Sequence, residues 1–129
     1  MALTEDLPVY QKMYQLLMIL MDARNDFDKP YKYVVGDKMI DKALNCVSLI
    51  HYANEDRRTG ARAEHLANFL MEFDILKTLI MVCRDRLQFK NSTVLGEVFI
   101  KTADVEDQAS KWRASSVKAL ASSKKNSPD

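Results

Sequence analysis

Few residues in this chain have both the type and the spacing to do chemistry. The two histidines, His51 and His65, lie near acids: His51 is four residues before Glu55, and His65 follows Glu64. Residues four apart share a helix face, so the first pair could meet a ligand together. A dinuclear metal site in a helical bundle, however, needs Glu-x-x-His on two helices and a Glu from each of two others. No Glu-x-x-His occurs, and Glu72 and Asp74, two apart, point to different faces. The expectation is no metal and no cofactor, with both histidines as polar residues near helix ends. Covalent catalysis fares no better. There is no Gly-x-Ser-x-Gly and no Gly-rich phosphate loop, and Gly96 is isolated. Cys46 and Cys83 sit among apolar residues and read as inert core thiols. Asp37 suits a helix dipole near the start of a helix. Neither an enzyme nor a small-molecule substrate is expected.

The cations carry more information. The chain has a formal net charge of +1, which excludes a strongly basic nucleic-acid binder. The charge is unevenly spread, though. From Gln108 to Pro128 there is no acid, while Lys111, Arg113, Lys118, Lys124 and Lys125 are all positive. Arg57, Arg58 and Arg62 form a second group. Lys29, Lys32 and Lys38 form a third, interleaved with Phe27, Tyr31 and Tyr33. Cations near phosphates release counterions, and aromatic rings can stack on bases or on a partner's side chains. A basic helix C-terminus also complements the helix dipole with no ligand at all.

The elements that must position these residues are helical. At 129 residues the chain is one domain's worth, and 47% hydrophobic residues suffice for a core. Three Gly and three Pro are too few for the frequent turns of a β-sandwich or barrel. Apolar spacing predicts helices over about 5–26, 34–54, 61–87 and 92–120, and a disordered polar tail over 122–129. In the first helix Leu7, Tyr10, Tyr14, Leu17, Met21 and Arg24 draw one stripe, capped by Thr4 or Asp6. The stripe is wide, since Met13, Leu16, Met18, Ile19 and Leu20 are apolar too. Pro30 breaks the period over 26–33. Met39, Ala43, Cys46, Val47 and Ile50 make the buried side of the second helix. Leu66, Leu70, Phe73, Leu76 or Lys77, Ile80 and Arg84 trace the third, and Val94, Val98, Val105, Ala109 and Trp112 the fourth. Gly60 gives the second connection its freedom, and Asn91 or Ser92 caps the last helix.

Four such helices with short connections make an antiparallel up-down-up-down bundle forming a single domain over residues 1–121. A bundle this thin hides one stripe per helix. The surplus on helix one, with Tyr10, Tyr14, Tyr31 and Tyr33, therefore suggests an interface between copies. The longest apolar run, Leu16–Met21, is far short of the roughly 18–20 residues of a membrane span. Acids near the N-terminus do not suit a secretory signal, so a cytoplasmic protein with reduced thiols is expected.

The order of several phrases adds a resemblance. Phe27-Asp-Lys-Pro-Tyr-Lys-Tyr-Val-Val-Gly-Asp-Lys-Met39 is followed by Ala43-Leu44, Leu49-Ile50 and Ala53-Asn54. Then come Arg57-Arg58, Leu76-Lys77-Thr78-Leu79-Ile80, Cys83-Arg84-Asp85 and Trp112. Over about residues 6–115 this resembles a four-helix-bundle family. It includes the accessory variability determinants of diversity-generating retroelements and the proteins encoded in intervening sequences of bacterial 23S ribosomal RNA genes. The resemblance implies a homopentameric barrel without an active site, which binds a reverse transcriptase and its template RNA to support mutagenic cDNA synthesis. It also implies basic contact residues, for which position and charge suggest Arg57, Arg58, Arg62, Lys77, Arg84, Arg86, Lys111 and Arg113.

Overall fold

A computed structural model of the protein describes residues 3–125. Four helices dominate: α1 (Pro8–Arg24), α2 (Asp37–Glu55), α3 (Ala61–Asp85) and α4 (Ser92–Lys125). No strand occurs among the described residues. Each helix packs on two others, in the cyclic order α1, α2, α3, α4, so α1 with α2 forms one flank and α3 with α4 the opposite one. No helix among the described residues is long and apolar enough to cross a membrane.

The core lies along the axis. Met39, Ala43, Cys46, Val47 and Ile50 of α2 are buried, as the spacing predicts. Burial pushes the Cys46 thiol up to about 12 and the Cys83 thiol up to about 11. In α1 the expected stripe holds only in part, with Leu17 buried and Leu7 and Tyr10 half-buried against the core. Val9, Met13, Leu16, Leu17 and Leu20 are buried, while Tyr14 and Met21 are exposed. Both rows recur at helical spacing, and only docking against α2 and α4 chooses between them. In α3 the large buried residue is Phe69, stacked on Phe73 at 5.3 Å, and Leu70 is half-buried beside the core.

Three local expectations also change. Pro30 does not break the second helix but opens it. A helical turn, Lys29–Tyr31, runs through a π-helical turn, Lys32–Gly36, directly into α2. Proline is at home in a first turn, where its missing N–H has no partner to lose. Neither Thr4 nor Asp6 caps α1. Leu7 holds that position without a side-chain bond, and Thr4 is buried in a short 3-10 turn against the end of α2. There its hydroxyl donates to Glu55 Oε1 (3.0 Å) and accepts from Asn54 Nδ2 (3.1 Å), with His51 Nδ1 at 3.2 Å. Since its one proton goes to Glu55, and Asn54 supplies another, His51 Nδ1 must donate. Finally, α4 continues to Lys125, so residues 122–125 of the expected tail are helix. Ala, Ser and Lys supply no breaker before Pro128, and positions 126–129 lie outside the described residues.

The connections are pinned by side chains. Gly60, at φ 80°, starts α3 in the left-handed region. Asn91 Oδ1 accepts from the backbone N–H groups of Thr93 (2.9 Å) and Val94 (3.2 Å), capping α4. Gln88, buried in the α3–α4 connection, accepts from the Asp28 backbone N–H (2.7 Å) and donates to Asp28 Oδ2 (3.2 Å). Phe27 meets Phe89 edge-on at 5.5 Å. The two connections at that end are therefore one packed unit.

Candidate functional site

The eight basic candidates do not form one site. Arg57, Arg58 and Arg62 lie at the α2–α3 turn, beside the last third of α4. There Arg57, Arg58, Arg62 and Gly60 line an open groove with Ser116 and Leu120. Arg84 and Arg86 lie at the far end of α3. From Arg62 to Arg84 the helix rises roughly 33 Å at 1.5 Å per residue. Lys77 falls between the two.

Several of these charges are already answered within the protein. At the turn, Asp56 accepts from the Arg58 backbone N–H (3.1 Å) and from its guanidinium (2.6 Å at Nη2), and His65 Nε2 lies 2.8 Å away. The Arg58 guanidinium, with His65 and the Arg58 backbone behind it, holds the Asp56 carboxyl well below the usual carboxylate range. Arg62 Nε donates to the Ala53 carbonyl (3.1 Å) and its guanidinium sits 5.5 Å from the Trp112 ring centre. It therefore fastens the end of α2 to α3 and α4. Lys77 pairs with Glu106 (2.7 Å) and Asp74 (3.2 Å). Partial burial opposes its charge, but the two hydrogen bonds prevail and its pKa is raised. Lys111 pairs with Asp107 one turn away (2.9 Å), and Arg84 with Asp85 (3.0 Å), its guanidinium 5.7 Å from the Phe99 ring. Arg57, Arg86 and Arg113 are exposed and make no ion pair among the described residues.

The four tyrosines also separate. Tyr10 and Tyr14 stack at 6.3 Å on α1, with Tyr14 47% exposed. Tyr31 and Tyr33 belong to the turns that lead into α2; Tyr31 is half-buried and Tyr33 exposed. The apolar surplus is wider than the tyrosines suggest. Tyr14, Met18 and Met21 of α1 and Leu44 of α2 are exposed. So are Met71 (67% exposed), Ile75 and Val82 of α3, with Phe99 and Ile100 (72%) of α4. Met71, Ile75 and Val82 step by four and seven, so a second apolar row outside the core stripe was the signal that could have found them.

No group of three or more His, Cys, Asp or Glu among the described residues is placed to hold a metal ion. The pocket nearest the first connection is lined by Met21, Asp22, Arg24, Asp37, Ile40 and Asp41, with Arg24 paired to Asp37 across it. No protein-family model matches the chain, and no curated protein or solved structure matches it either.

Proposed function

We propose that the protein is a non-catalytic accessory subunit of a diversity-generating retroelement, assembling with copies of itself to bind the reverse transcriptase and its template RNA in the cytoplasm. The observation that carries this reading is the set of exposed apolar side chains on all four helices, Tyr14 and Met21, Leu44, Met71 and Ile100 among them. A face that meets a different face on the next copy builds a ring if the rotation closes. The bundle itself is read as antiparallel and up-down-up-down. Thr4, before α1, meets Glu55 at the end of α2, Arg24 at the end of α1 meets Asp37 at the start of α2, and Lys77 of α3 meets Glu106 midway along α4. Joining the α1–α2 flank of one copy to the α3–α4 flank of the next gives a barrel, for which the sequence resemblance suggests five subunits. The free cations, Arg57, Arg86 and Arg113, would then repeat around its rims and concentrate positive potential for RNA phosphates or an acidic polymerase surface.

Sedimentation, co-purification with a retroelement reverse transcriptase, and titration with its template RNA at two salt concentrations test this together. The expected result is a closed oligomer that retains the polymerase and binds RNA with an affinity that falls steeply with salt. A single sedimenting subunit that retains neither partner overturns it. A second reading, a structural oligomer of the ribosomal intervening-sequence type, is favoured by the internal pairing of Arg58, Lys77 and Lys111. An oligomer that binds neither polymerase nor RNA at low salt supports that second reading.

A further inference from the structure

The basic and aromatic segment before α2 is not used by any of the candidate cations above, yet it is built with unusual care. Lys32–Gly36 forms a π-helical turn, a feature that recurs at functional sites. Gly36 is buried in it, and a Cβ there would meet Arg24 Cγ and the Tyr31 carbonyl at 3.2 Å. A side chain at position 36 would therefore press Arg24 and the Tyr31 carbonyl away by a few tenths of an ångström. Arg24 is fixed from the other side by Asp37. Its guanidinium stands 5.4 Å from the centre of the Tyr33 ring, while Lys32 Nζ stands at 5.9 Å. The Tyr33 ring is thus held on a rigid turn and remains 59% exposed. Behind the turn, Asp28 is fastened to Gln88 and Lys90, so the whole segment is anchored to the α3–α4 connection.

The charges around the ring differ from those at the α2–α3 turn. Lys29, Lys32 and Lys38 make no ion pair among the described residues, and Lys29 and Lys38 lie about one helical turn before and after Tyr33. Asp28 and Asp37, the nearest acids, are bound to Lys90 and Arg24. An exposed ring flanked by unpaired lysines is the arrangement that single-stranded nucleic acid uses: the ring takes a base face and the ammonium groups take phosphates. A paired base offers no free face, so the same arrangement discriminates against a duplex.

We propose that Tyr33, with Lys29, Lys32 and Lys38, is a stacking platform for an unpaired nucleotide of RNA. Arg24 stays on the ring because Asp37 holds it. Lys32, with no carboxylate partner, leaves the ring for a phosphate as the base arrives. The inference rests on the RNA half of the proposed function and assigns Tyr33 a role other than contact between subunits.

The test is a fluorescence-anisotropy titration of the full chain with a labelled short oligouridine, and with the same strand paired to oligoadenosine. Tyr33→Phe, Tyr33→Ala, Lys32→Ser and Arg57→Ser are compared with the unaltered protein. Tyr33→Ala is expected to weaken single-strand binding on the order of 10-fold, the usual worth of base–aromatic stacking. Tyr33→Phe, which keeps the ring, is expected to restore it, and Lys32→Ser to flatten the salt dependence. The ring is exposed, so melting curves of the Tyr33 variants should overlay the parent's and show that each folds. Wild-type binding that Tyr33→Ala leaves unchanged but Arg57→Ser weakens overturns the platform and leaves RNA binding standing. No binding of either RNA form by the unaltered protein overturns both. Equal or tighter binding of the duplex overturns the platform, as does displacement of oligouridine by polyglutamate at equal charge, which would reassign the segment to an acidic protein partner.

Discussion

The two ends of the bundle hold similar numbers of cations and use them differently. At the α2–α3 turn Arg58 is bound by Asp56, and Arg62 is fastened between the Ala53 carbonyl and Trp112. At the other end Lys32 stands beside the exposed Tyr33 ring, and Lys29, Lys32 and Lys38 have no carboxylate partners among the described residues. The acids explain the difference. Asp56 lies two residues before Arg58 and closes a tight turn on it, whereas the carboxylates of Asp28 and Asp37 are bound by Lys90 and Arg24 from other parts of the chain. Arg58 and Arg62 at one end hold the fold. At the other end Arg24 and Lys90 do the same, while Lys29, Lys32 and Lys38 have no carboxylate partner among the described residues.

Removing the anchor of the second end should break this contrast most severely. Phe27 is buried against Phe89, so Phe27→Ala is expected to cost about 3–5 kcal/mol in denaturant unfolding. A cost under about 1 kcal/mol would mean that the segment is not held by its apolar contact. The arginines of the turn sharpen the contrast at a smaller scale. Arg62→Ala removes a hydrogen bond and a ring contact and should cost roughly 1–3 kcal/mol, while the exposed neighbour Arg57→Ser should stay within about 0.5 kcal/mol. Equal effects for the two would show that Arg62 is no clamp.

The smallest effect is one of pH. The folded state lowers the Asp56 pKa below its ordinary 3.8, so the folded protein releases this proton more readily than the unfolded chain. The resulting stability is present above that ordinary value and is lost as pH falls below it toward the folded pKa. Asp56→Asn should therefore lower the melting temperature slightly at neutral pH, and the gap from the parent should close as the medium is made more acid than about pH 4. Arg58 is exposed and its pair with Asp56 is screened, so added salt should narrow the same gap. A gap that widens in acid would contradict the pairing.

How far the sequence could be read differs from helix to helix for physical reasons. In α2 the row from Met39 through Ala43, Cys46 and Val47 to Ile50 is set off by Lys38, Asp41, Lys42 and Asn45, so it could be assigned to the core directly, while Leu44 and Tyr52 stand outside it and are exposed. In α1 apolar residues spread over more than one side, and of the expected row Leu17 enters the core, Tyr10 lies half-buried at its edge and Tyr14 is exposed. Leu70 and Phe69 present the same ambiguity in α3, adjacent residues of which only one can fill the axis. The candidate site was legible as residue types and not as a place. Arg57, Arg58 and Arg62 are neighbours in sequence and in space, but Arg84 and Arg86 belong to the opposite end. Lys111 and Asp107 are one helical turn apart and could be read as a pair, but Lys77 could not be known to meet Glu106 until the two helices packed.

The sequence by itself determined that the chain is helical, where its turns fall to within a few residues, and that it has more apolar surface than one bundle needs. Those follow from local periodicity, glycine and proline placement and counting, which act within a few residues of the chain. Only the tertiary structure decided which apolar row faces inward and which cations are already answered. It also decided that Pro30 lies in the first turn of a helix and not in a non-helical break over 26–33, and that Arg24 packs between Gly36 and the Tyr33 ring. The pairing of Lys77 with Glu106, the seat of Arg62 on Trp112 and the choice of core row depend on groups in other elements, and a contact of that kind has an energy only when packing has brought its partner within reach.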